Sequence, residues 1–184
     1  MANEEETIRF AGEIHKSAKR LLTLINDTIR LSQLDTSEQK VIYEAIDLYK
    51  IAEDCVNMLK FSAENHGIDI SIHGTNAYLE GNREMLEEVV YNLCDNAIRY
   101  NNEGGKVDVT VKPVKGKIYL CVEDNGIGIS KEHQERIFER FYRVDKSRSK
   151  STGGTGLGLA IVKHIIQQHG AHMELTSEKG KGTK

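Results

Sequence analysis

The first pattern along the chain predicts one long helix, from about Thr7 to Leu34. Apolar residues recur there at spacings of three and four, which places them on one side of a helix. Two neighbouring stripes result, and they consist of Ile8, Ala11, His15, Ala18, Leu22, Ile25 and Ile29 and of Ile14, Leu21, Leu24 and Leu31. So wide an apolar face favours packing against other helices, including those of a second chain. The polar stretch Asp35–Lys40 then predicts a linker.

The remaining sequence mixes helical and strand patterns. Helices are predicted after Asp47 to about Asn65, from the N-cap Asn82 to about Asn101, from the N-cap Ser130 to about Phe141, and over Gly156–His169. Strands are predicted at Ile68–Ile72, Val107–Val111, Ile118–Val122 and Met173–Thr176, with a hairpin link at Lys112–Lys117. The polar, glycine-rich segment Arg143–Gly154 predicts a loop. Because strands and helices do not alternate strictly, we expect an α+β fold, a two-layer α/β sandwich.

The composition excludes several classes of protein. With 39 % hydrophobic and 29 % charged residues among 184, the chain can form a core and an ordinary soluble surface. A net charge of −3 argues against a protein that binds nucleic acid, and no run of about 18 apolar residues predicts a membrane span. The cysteines Cys55, Cys94 and Cys121 lack CxxC spacing, so we expect reduced thiols in a cytoplasmic protein.

Three segments carry candidate chemistry, and the first is the predicted helix Asn82–Asn101. Glu88, Asn92, Asn96 and Arg99 share one face of it. Asparagine is unfavourable inside a helix because its side chain competes for backbone hydrogen bonds. Its amide oxygen can bind Mg²⁺, and an arginine nearby adds positive charge for phosphates. A solvated polar face explains the same pattern, and this segment alone favours that interpretation.

The second and third segments are glycine-rich. Asp124–Ile129 follows a predicted strand, where a buried carboxylate could accept a hydrogen bond from an adenine amine and glycines let a ligand approach the backbone. An ordinary turn is an equal alternative. Gly153–Leu159 opens a helix, and backbone N–H groups at a helix start bind phosphate. It lacks the lysine of a Walker loop and the preceding strand of a dinucleotide-binding turn.

Taken together, these segments resemble the nucleotide-binding boxes of sensor histidine kinases of two-component systems. Asn92–Tyr100 looks like the N box, Asp124–Ile129 the G1 box, Phe138–Arg143 the F box and Gly154–Leu159 the G2 box. The resemblance covers nearly the whole chain. It implies the Bergerat ATP-binding fold shared with gyrase, Hsp90 and MutL, a mixed sheet with helices on one face, preceded here by the long N-terminal helix.

The resemblance also implies a role for each matching residue, with ATP and Mg²⁺ as cofactors. Asn92 and Asn96 would hold Mg²⁺ against the ATP phosphates. Arg99 and Tyr100 would contact phosphate and sugar, and Asp124 would bind the adenine amino group. The other nucleotide contacts that it implies are Gly126, Ile127, Gly128, Ile129, Tyr142, Arg143, Gly154, Thr155, Gly156, Leu157 and Gly158, with the ATP lid spanning Arg143–Thr155.

The activity implied is transfer of the ATP γ-phosphoryl group to a histidine, for relay to an aspartate of a response regulator. In the hydrolytic relatives the helix position that aligns with Asn92 is a glutamate that activates water. An amide is a poor base, so this residue favours transfer over hydrolysis. Glu88 lies one turn before Asn92, and we do not expect it to replace that glutamate in activating water. A gyrase-like or Hsp90-like ATPase, an anti-sigma serine kinase and a non-catalytic nucleotide-binding module are the alternatives.

The phosphoacceptor histidine itself is missing. Its family pattern contains a proline, and the only proline of the chain, Pro113, lies in the predicted hairpin. The segment Phe10–Leu34 resembles the second helix of the family's dimerisation domain. This resemblance implies that residues 1–36 are that helix and residues 37–184 the catalytic domain, with its last strand truncated. The partners expected are the protein's own dimerisation domain, a response-regulator receiver domain and a second copy of the chain. Upstream segments could anchor a full-length protein in the cell membrane.

Overall fold

The structure, a computed structural model, describes residues 4–35, 41–144 and 154–184. Most of the predicted linker Asp35–Lys40 and most of the predicted loop Arg143–Gly154 lie outside these ranges. The helices are α1 (Glu4–Asp35), α2 (Leu48–Asn65), α3 (Arg83–Arg99), α4 (Lys131–Gln134), a 3₁₀ turn (Arg136–Phe138) and α5 (Gly158–Gln168). The strands are β1 (Glu44–Asp47), β2 (Asp69–Gly74), β3 (Tyr78–Gly81), β4 (Lys106–Val114), β5 (Lys117–Asp124), β6 (Ser177–Glu178) and β7 (Gly182–Thr183).

The main sheet has five strands in the order β2-β4-β5-β7-β6. Strand β2 pairs parallel with β4, and all other neighbours are antiparallel, so the sheet is mixed. A separate antiparallel pair joins β1 to β3. Helices α2 and α3 cover one face of the main sheet, which confirms the predicted two-layer sandwich.

Alternation along β4 explains which face the helices cover. Val107, Val109 and Val111 are fully buried against residues of α2 and α3, such as Val56 and Val90. The residues between these valines point to the opposite face of the sheet, as the twofold repeat of a strand requires. This alternation was the signal for the strand in the sequence, and the structure confirms the hairpin, with its turn at residues 115 and 116.

A second buried cluster lies where α1, α3 and α5 meet. Leu31 and Leu34, near the end of α1, pack with Val89 of α3 and with Ile161 and Ile165 of α5. Farther towards its N-terminus, α1 keeps its large apolar side chains exposed. They are Ile8, Phe10, Ile14, Leu21, Leu22, Ile25 and Ile29. Among the helices of the described ranges, none is long and apolar enough to cross a membrane.

Several details of the sequence prediction are corrected. The strand expected to begin at Met173 begins at Ser177, and Thr176 just before it exchanges two backbone hydrogen bonds with Lys184, at 2.8 and 2.7 Å. The helix predicted up to Phe141 is instead the short α4 followed by the 3₁₀ turn. Ser130 occupies the N-cap position of α4 but makes no capping hydrogen bond with its side chain, whereas Asn82 caps α3 by accepting from the backbone N–H of Met85 at 3.0 Å.

Truncating Ile161 tests whether the α3–α5 cluster stabilises the domain. Ile161 is 1 % exposed, so Ile161→Ala removes buried methyl groups and leaves a cavity. We expect the free energy of unfolding to fall by about 2–5 kcal/mol in chemical denaturation. Ile42→Ala is the matched control, because Ile42 is 75 % exposed and its change should stay within about 0.5 kcal/mol. Equal losses in the two variants would contradict the assignment of this core.

Candidate functional site

The polar face of α3 is half-buried, and several of its side chains make hydrogen bonds or ion pairs. Asn92 donates from its amide nitrogen to the carbonyl oxygen of Glu88 at 2.9 Å. The carboxylate of Glu88 pairs with Arg30 of α1 at 2.8 Å. Asn96 is half-buried one turn further on, and Arg99 pairs with Asp95 at 2.6 Å. The face is therefore enclosed by neighbouring elements and is not a fully solvated one.

The start of helix α5 lies directly against Asn92. A methyl group on Gly158 would lie 2.5 Å from the amide oxygen Oδ1 of Asn92, so any other residue there would force the Asn92 side chain to move. The preceding side chain, Leu157, is fully buried in the second cluster and anchors the end of the helix. The first backbone N–H groups of a helix have no partner within it, so α5 presents donors beside the amide of α3.

The turn after β5 docks onto the C-terminal end of α3. Asp124 accepts the backbone N–H of Gly126 at 2.8 Å, and the N–H of Ile127 donates to the carbonyl oxygen of Tyr100 at 3.1 Å. Burial raises the pKa of Asp124, although hydrogen bonds from Gly126 and Thr183 act in the opposite direction. The first and second candidate segments of the sequence are thus neighbours in space.

The C-terminal strand pair supports the other side of this turn. The backbone N–H of Gly180 donates to Ile127 at 2.8 Å, and the N–H of Ile129 donates to the hydroxyl of Ser177 at 2.8 Å. Gly128 has a φ of +61°, and a methyl group there would overlap the carbonyl oxygen of Glu178. The glycine is required both by its backbone conformation and by the close approach of β6.

The two ends of the predicted lid meet beside Tyr100. The guanidinium of Arg143 donates to the carbonyl oxygen of Gly154, and a methyl group on Gly154 would lie 3.6 Å from the hydroxyl of Tyr100. The backbone N–H of Phe141 donates to Gly156 at 3.0 Å. Residues 145–153 of the lid lie outside the described ranges.

Tyr142, at the base of the lid, is held by two neighbours. Its hydroxyl lies 2.6 Å from Nδ1 of His133, and the guanidinium of Arg136 lies 4.2 Å from the centre of its ring. These contacts direct Tyr142 towards α4 and the 3₁₀ turn. Its placement relative to a nucleotide stays a prediction.

The contacts bring together the segments that the sequence singled out. Direct contacts or close approaches join Asn92 with Gly158, Tyr100 with Ile127 and Gly154, and Asp124 with Gly126. Thr155 and Leu157 are also linked, since the N–H of Leu157 donates to the Thr155 hydroxyl at 3.3 Å. Arg99 is directed to Asp95, a residue for which the sequence analysis assigned no role. Amide oxygens, backbone N–H groups and a half-buried carboxylate thus line one region between α3, α5 and the turn after β5.

Sequence reasoning missed four residues that position this site. Ser177 and Gln134 fix the turn after β5, since Gln134 donates to the carbonyl oxygens of Ile129 and Ser177 at 2.9 and 2.8 Å. His133 contacts Tyr142, and Asp27 of α1 accepts the hydroxyl of Thr155 at 2.6 Å. The contacts of Ser177 and Asp27 join residues far apart in the chain, and no local pattern indicates any of the four.

Adding a methyl group to Gly128 should disrupt the turn. We expect Gly128→Ala to lower the free energy of unfolding by at least about 2 kcal/mol, because left-handed strain and the overlap with Glu178 add together. Gly116→Ala is the control, since Gly116 has a φ of +78° but open space around it. It should lose only about 1 kcal/mol. Thermal or chemical unfolding measures both, and equal losses would show that β6 does not constrain the turn.

The half-buried carboxylate of Asp124 predicts a pH-dependent stability. Because its folded pKa is raised, its contribution to stability is fully present below the unfolded pKa and is lost as pH rises through the folded pKa. Asp124→Asn should therefore be more stable than the parent chain at pH 7. The difference should vanish below about pH 4, the ordinary range of an aspartate. Unfolding curves at several pH values measure this, with exposed Asp69→Asn as control; a difference independent of pH would contradict it.

Comparisons with known proteins agree with this architecture. Residues 81–184 match the family model described as histidine kinase-, DNA gyrase B-, and HSP90-like ATPase. The sensor-like histidine kinase SenX3 of Mycolicibacterium smegmatis is 40 % identical over 184 residues, which cover 99 % of this chain and 48 % of that protein. The chain therefore spans about half the length of this curated relative.

Two solved structures share the fold. Full-length ShkA in complex with AMPPNP matches with a TM-score of 0.81 at 24 % identity, over 97 % of this chain and 37 % of that one. Histidine kinase ThkA in complex with response regulator protein TrrA matches with a TM-score of 0.75 at 22 % identity, over 100 % and 51 %. The resemblance inferred from the sequence is confirmed, and because the family match covers more than half of its residues, this chain belongs to the histidine kinase-, DNA gyrase B-, and HSP90-like ATPase family.

Proposed function

We propose that this chain binds Mg·ATP between α3 and α5 and serves as the catalytic domain of a sensor histidine kinase. In the whole protein it transfers the γ-phosphoryl group to a histidine of the dimerisation domain, and a response-regulator aspartate then receives that group. Family membership implies the ATP binding. The name of its relative SenX3 and the ThkA–TrrA complex support the kinase activity and the regulator as partner.

The observation that carries the proposal is the approach of Gly158 to Asn92. It places the N–H groups at the start of α5 beside the amide oxygen of α3. Backbone N–H groups at a helix start bind phosphate oxygens, and an amide oxygen is a ligand suited to Mg²⁺. Asn92 and Asn96 would hold the ion, which supplies charge neutralisation for the phosphates when bound. Gly156, Leu157 and Gly158 would hold the phosphates through their backbone.

The adenine would bind at the opposite end, beside Asp124. Its carboxylate is half-buried and accepts the backbone N–H groups of Gly126 and Thr183. A carboxylate has about four lone-pair positions, so it can also accept from the exocyclic amine of adenine. The walls there are Gly126, Ile127, Gly128 and Ile129. Tyr100, whose carbonyl oxygen accepts from Ile127, lies between the two ends of the site and would contact the sugar and phosphates with Arg99. Tyr142, Arg143, Gly154 and Thr155 would close the site from the lid.

The side chains of α3 favour transfer over hydrolysis. A neutral amide at Asn92 cannot accept a proton from water, and the nearby carboxylate of Glu88 is paired with Arg30 at 2.8 Å. Phosphoryl transfer requires mainly positioning and charge stabilisation of the phosphates, which N–H groups and Mg²⁺ supply. This argues against the ATPase alternative.

We also propose a division of the chain into two functional parts. Residues 1–36 would be the second helix of the dimerisation domain, and residues 37–184 the catalytic domain. The exposed apolar side chains along α1, such as Ile8, Ile14 and Leu21, support this division. They would pack against the first dimerisation helix and a second copy of the chain.

Calorimetric titration with ATP, with and without Mg²⁺, tests the site. We expect Mg²⁺ to strengthen ATP binding to the parent chain. Asn96→Ala should lose most of that gain, and Asp124→Asn should weaken ATP binding at least about tenfold under either condition, because it removes the negative charge and one of the two acceptor oxygens. Exposed Asn57→Ala on α2 is the matched control. Unchanged ATP binding in both site variants would overturn the assignment of the site.

Transfer is tested by mixing the chain with a separately made dimerisation domain that carries the acceptor histidine. The kinase proposal expects phosphate on that domain that is stable in base and labile in acid, as a phosphohistidine is. Steady release of inorganic phosphate without such a product would support the ATPase instead.

A further inference from the structure

A polar chain of contacts connects helix α1 to the start of α5. The hydroxyl of Thr155 donates to a carboxylate oxygen of Asp27 at 2.6 Å. The same hydroxyl oxygen accepts the backbone N–H of Leu157 at 3.3 Å. All three residues lie at the junction of α1 and α5, and the side chains of Asp27 and Thr155 are half-buried there.

These contacts engage groups that a phosphate would need. A threonine hydroxyl has one hydrogen, so while Thr155 donates to Asp27 it cannot donate to a phosphate oxygen. The N–H of Leu157 is likewise directed to Thr155 and not to a ligand. In addition, the carboxylate of Asp27 would oppose the arrival of a polyphosphate through like charge.

The position of Asp27 is set by the docking of α1. One turn later Arg30 pairs with Glu88 of α3 at 2.8 Å, and at the helix end Asp35 accepts from Arg140 at 2.8 Å. Leu31 and Leu34 are both 5 % exposed in the same interface. The contact between Asp27 and Thr155 is therefore part of a packed surface that spans more than two turns of α1.

We propose that Asp27 is a positioning residue that holds Thr155 and Leu157 in an arrangement unsuited to phosphate. Docked α1 then opposes the binding of the ATP phosphates, while it leaves the adenine end of the site unaffected. By linkage, bound ATP weakens the contact between α1 and the catalytic domain to the same extent. This inference rests on the proposed function, because it requires that Thr155 and Leu157 face the phosphates.

Calorimetric titrations with ATP and with AMP test the proposal, because AMP carries the same adenosine but only one phosphate. Asp27→Asn keeps the shape of the side chain and removes its charge. It should tighten ATP binding by about three- to tenfold, the scale of one charged hydrogen bond replaced by a weaker neutral one, and change AMP binding less than about twofold. Asp27→Ala should also tighten ATP binding. Because alanine favours helices more than asparagine does, this variant shows whether any effect of Asp27→Asn comes from a destabilised helix.

Glu13→Gln is the matched control. It removes the negative charge of an exposed acidic side chain from an earlier turn of α1, so its ratio of ATP to AMP affinity should equal that of the parent chain. Thr155→Val removes the hydroxyl, and in that background Asp27→Asn should have a smaller effect on ATP, because only the charge repulsion remains.

Three results would overturn the inference. They are an Asp27→Asn variant with unchanged ATP affinity, an equal gain for ATP and AMP, and an equal gain in Glu13→Gln, which would mean that removal of any negative charge from α1 is responsible. Each leaves the proposed function intact as long as ATP binding still depends on Asp124. Loss of that dependence would instead refute the proposed site.

Discussion

The close approach of helix α5 to helix α3 is the constraint on which the rest of the site depends. It exists because Gly158 has no side chain and because Leu157 is anchored in the core beside Val89 and Ile161. The burial that stabilises the α3–α5 layer therefore also aligns the start of α5 with the amide of Asn92. The same packing therefore stabilises the fold and sets the geometry of the candidate phosphate site.

The other end of the site depends on backbone contacts. The turn after β5 is held between the end of α3 and the short strands β6 and β7, with Tyr100 on one side and Glu178 on the other. Such a turn offers a half-buried carboxylate, Asp124, at a defined position. The cost of burying that charge appears as its raised pKa, and a ligand amine that bonds to it would offset part of the cost.

Helix α1 is the third element that contacts the candidate site. Its last two turns pack on α3 and α5 and carry Asp27, Arg30 and Asp35 into polar contacts with the catalytic domain. Its earlier turns expose apolar side chains that require other partners. One helix thus has a docked end beside the phosphate end of the candidate site and an exposed apolar part along its earlier turns.

The amino-acid sequence by itself determined the long elements and the positions of the site motifs. Helices α1, α2 and α3 and the β4–β5 hairpin follow from periodicity and from caps such as Asn82, because local patterns over many residues are strong signals. The four-residue strands β1 and β3 were not predicted, and the strand expected at Met173–Thr176 begins at Ser177, because such short pairings have no period of their own. Only the tertiary structure decided that Asp27 meets Thr155, that Ser177 holds Ile129, and that Gly158 faces Asn92. Those contacts join residues distant in the chain, and the packing of whole helices and strands, which no local pattern encodes, brings them together.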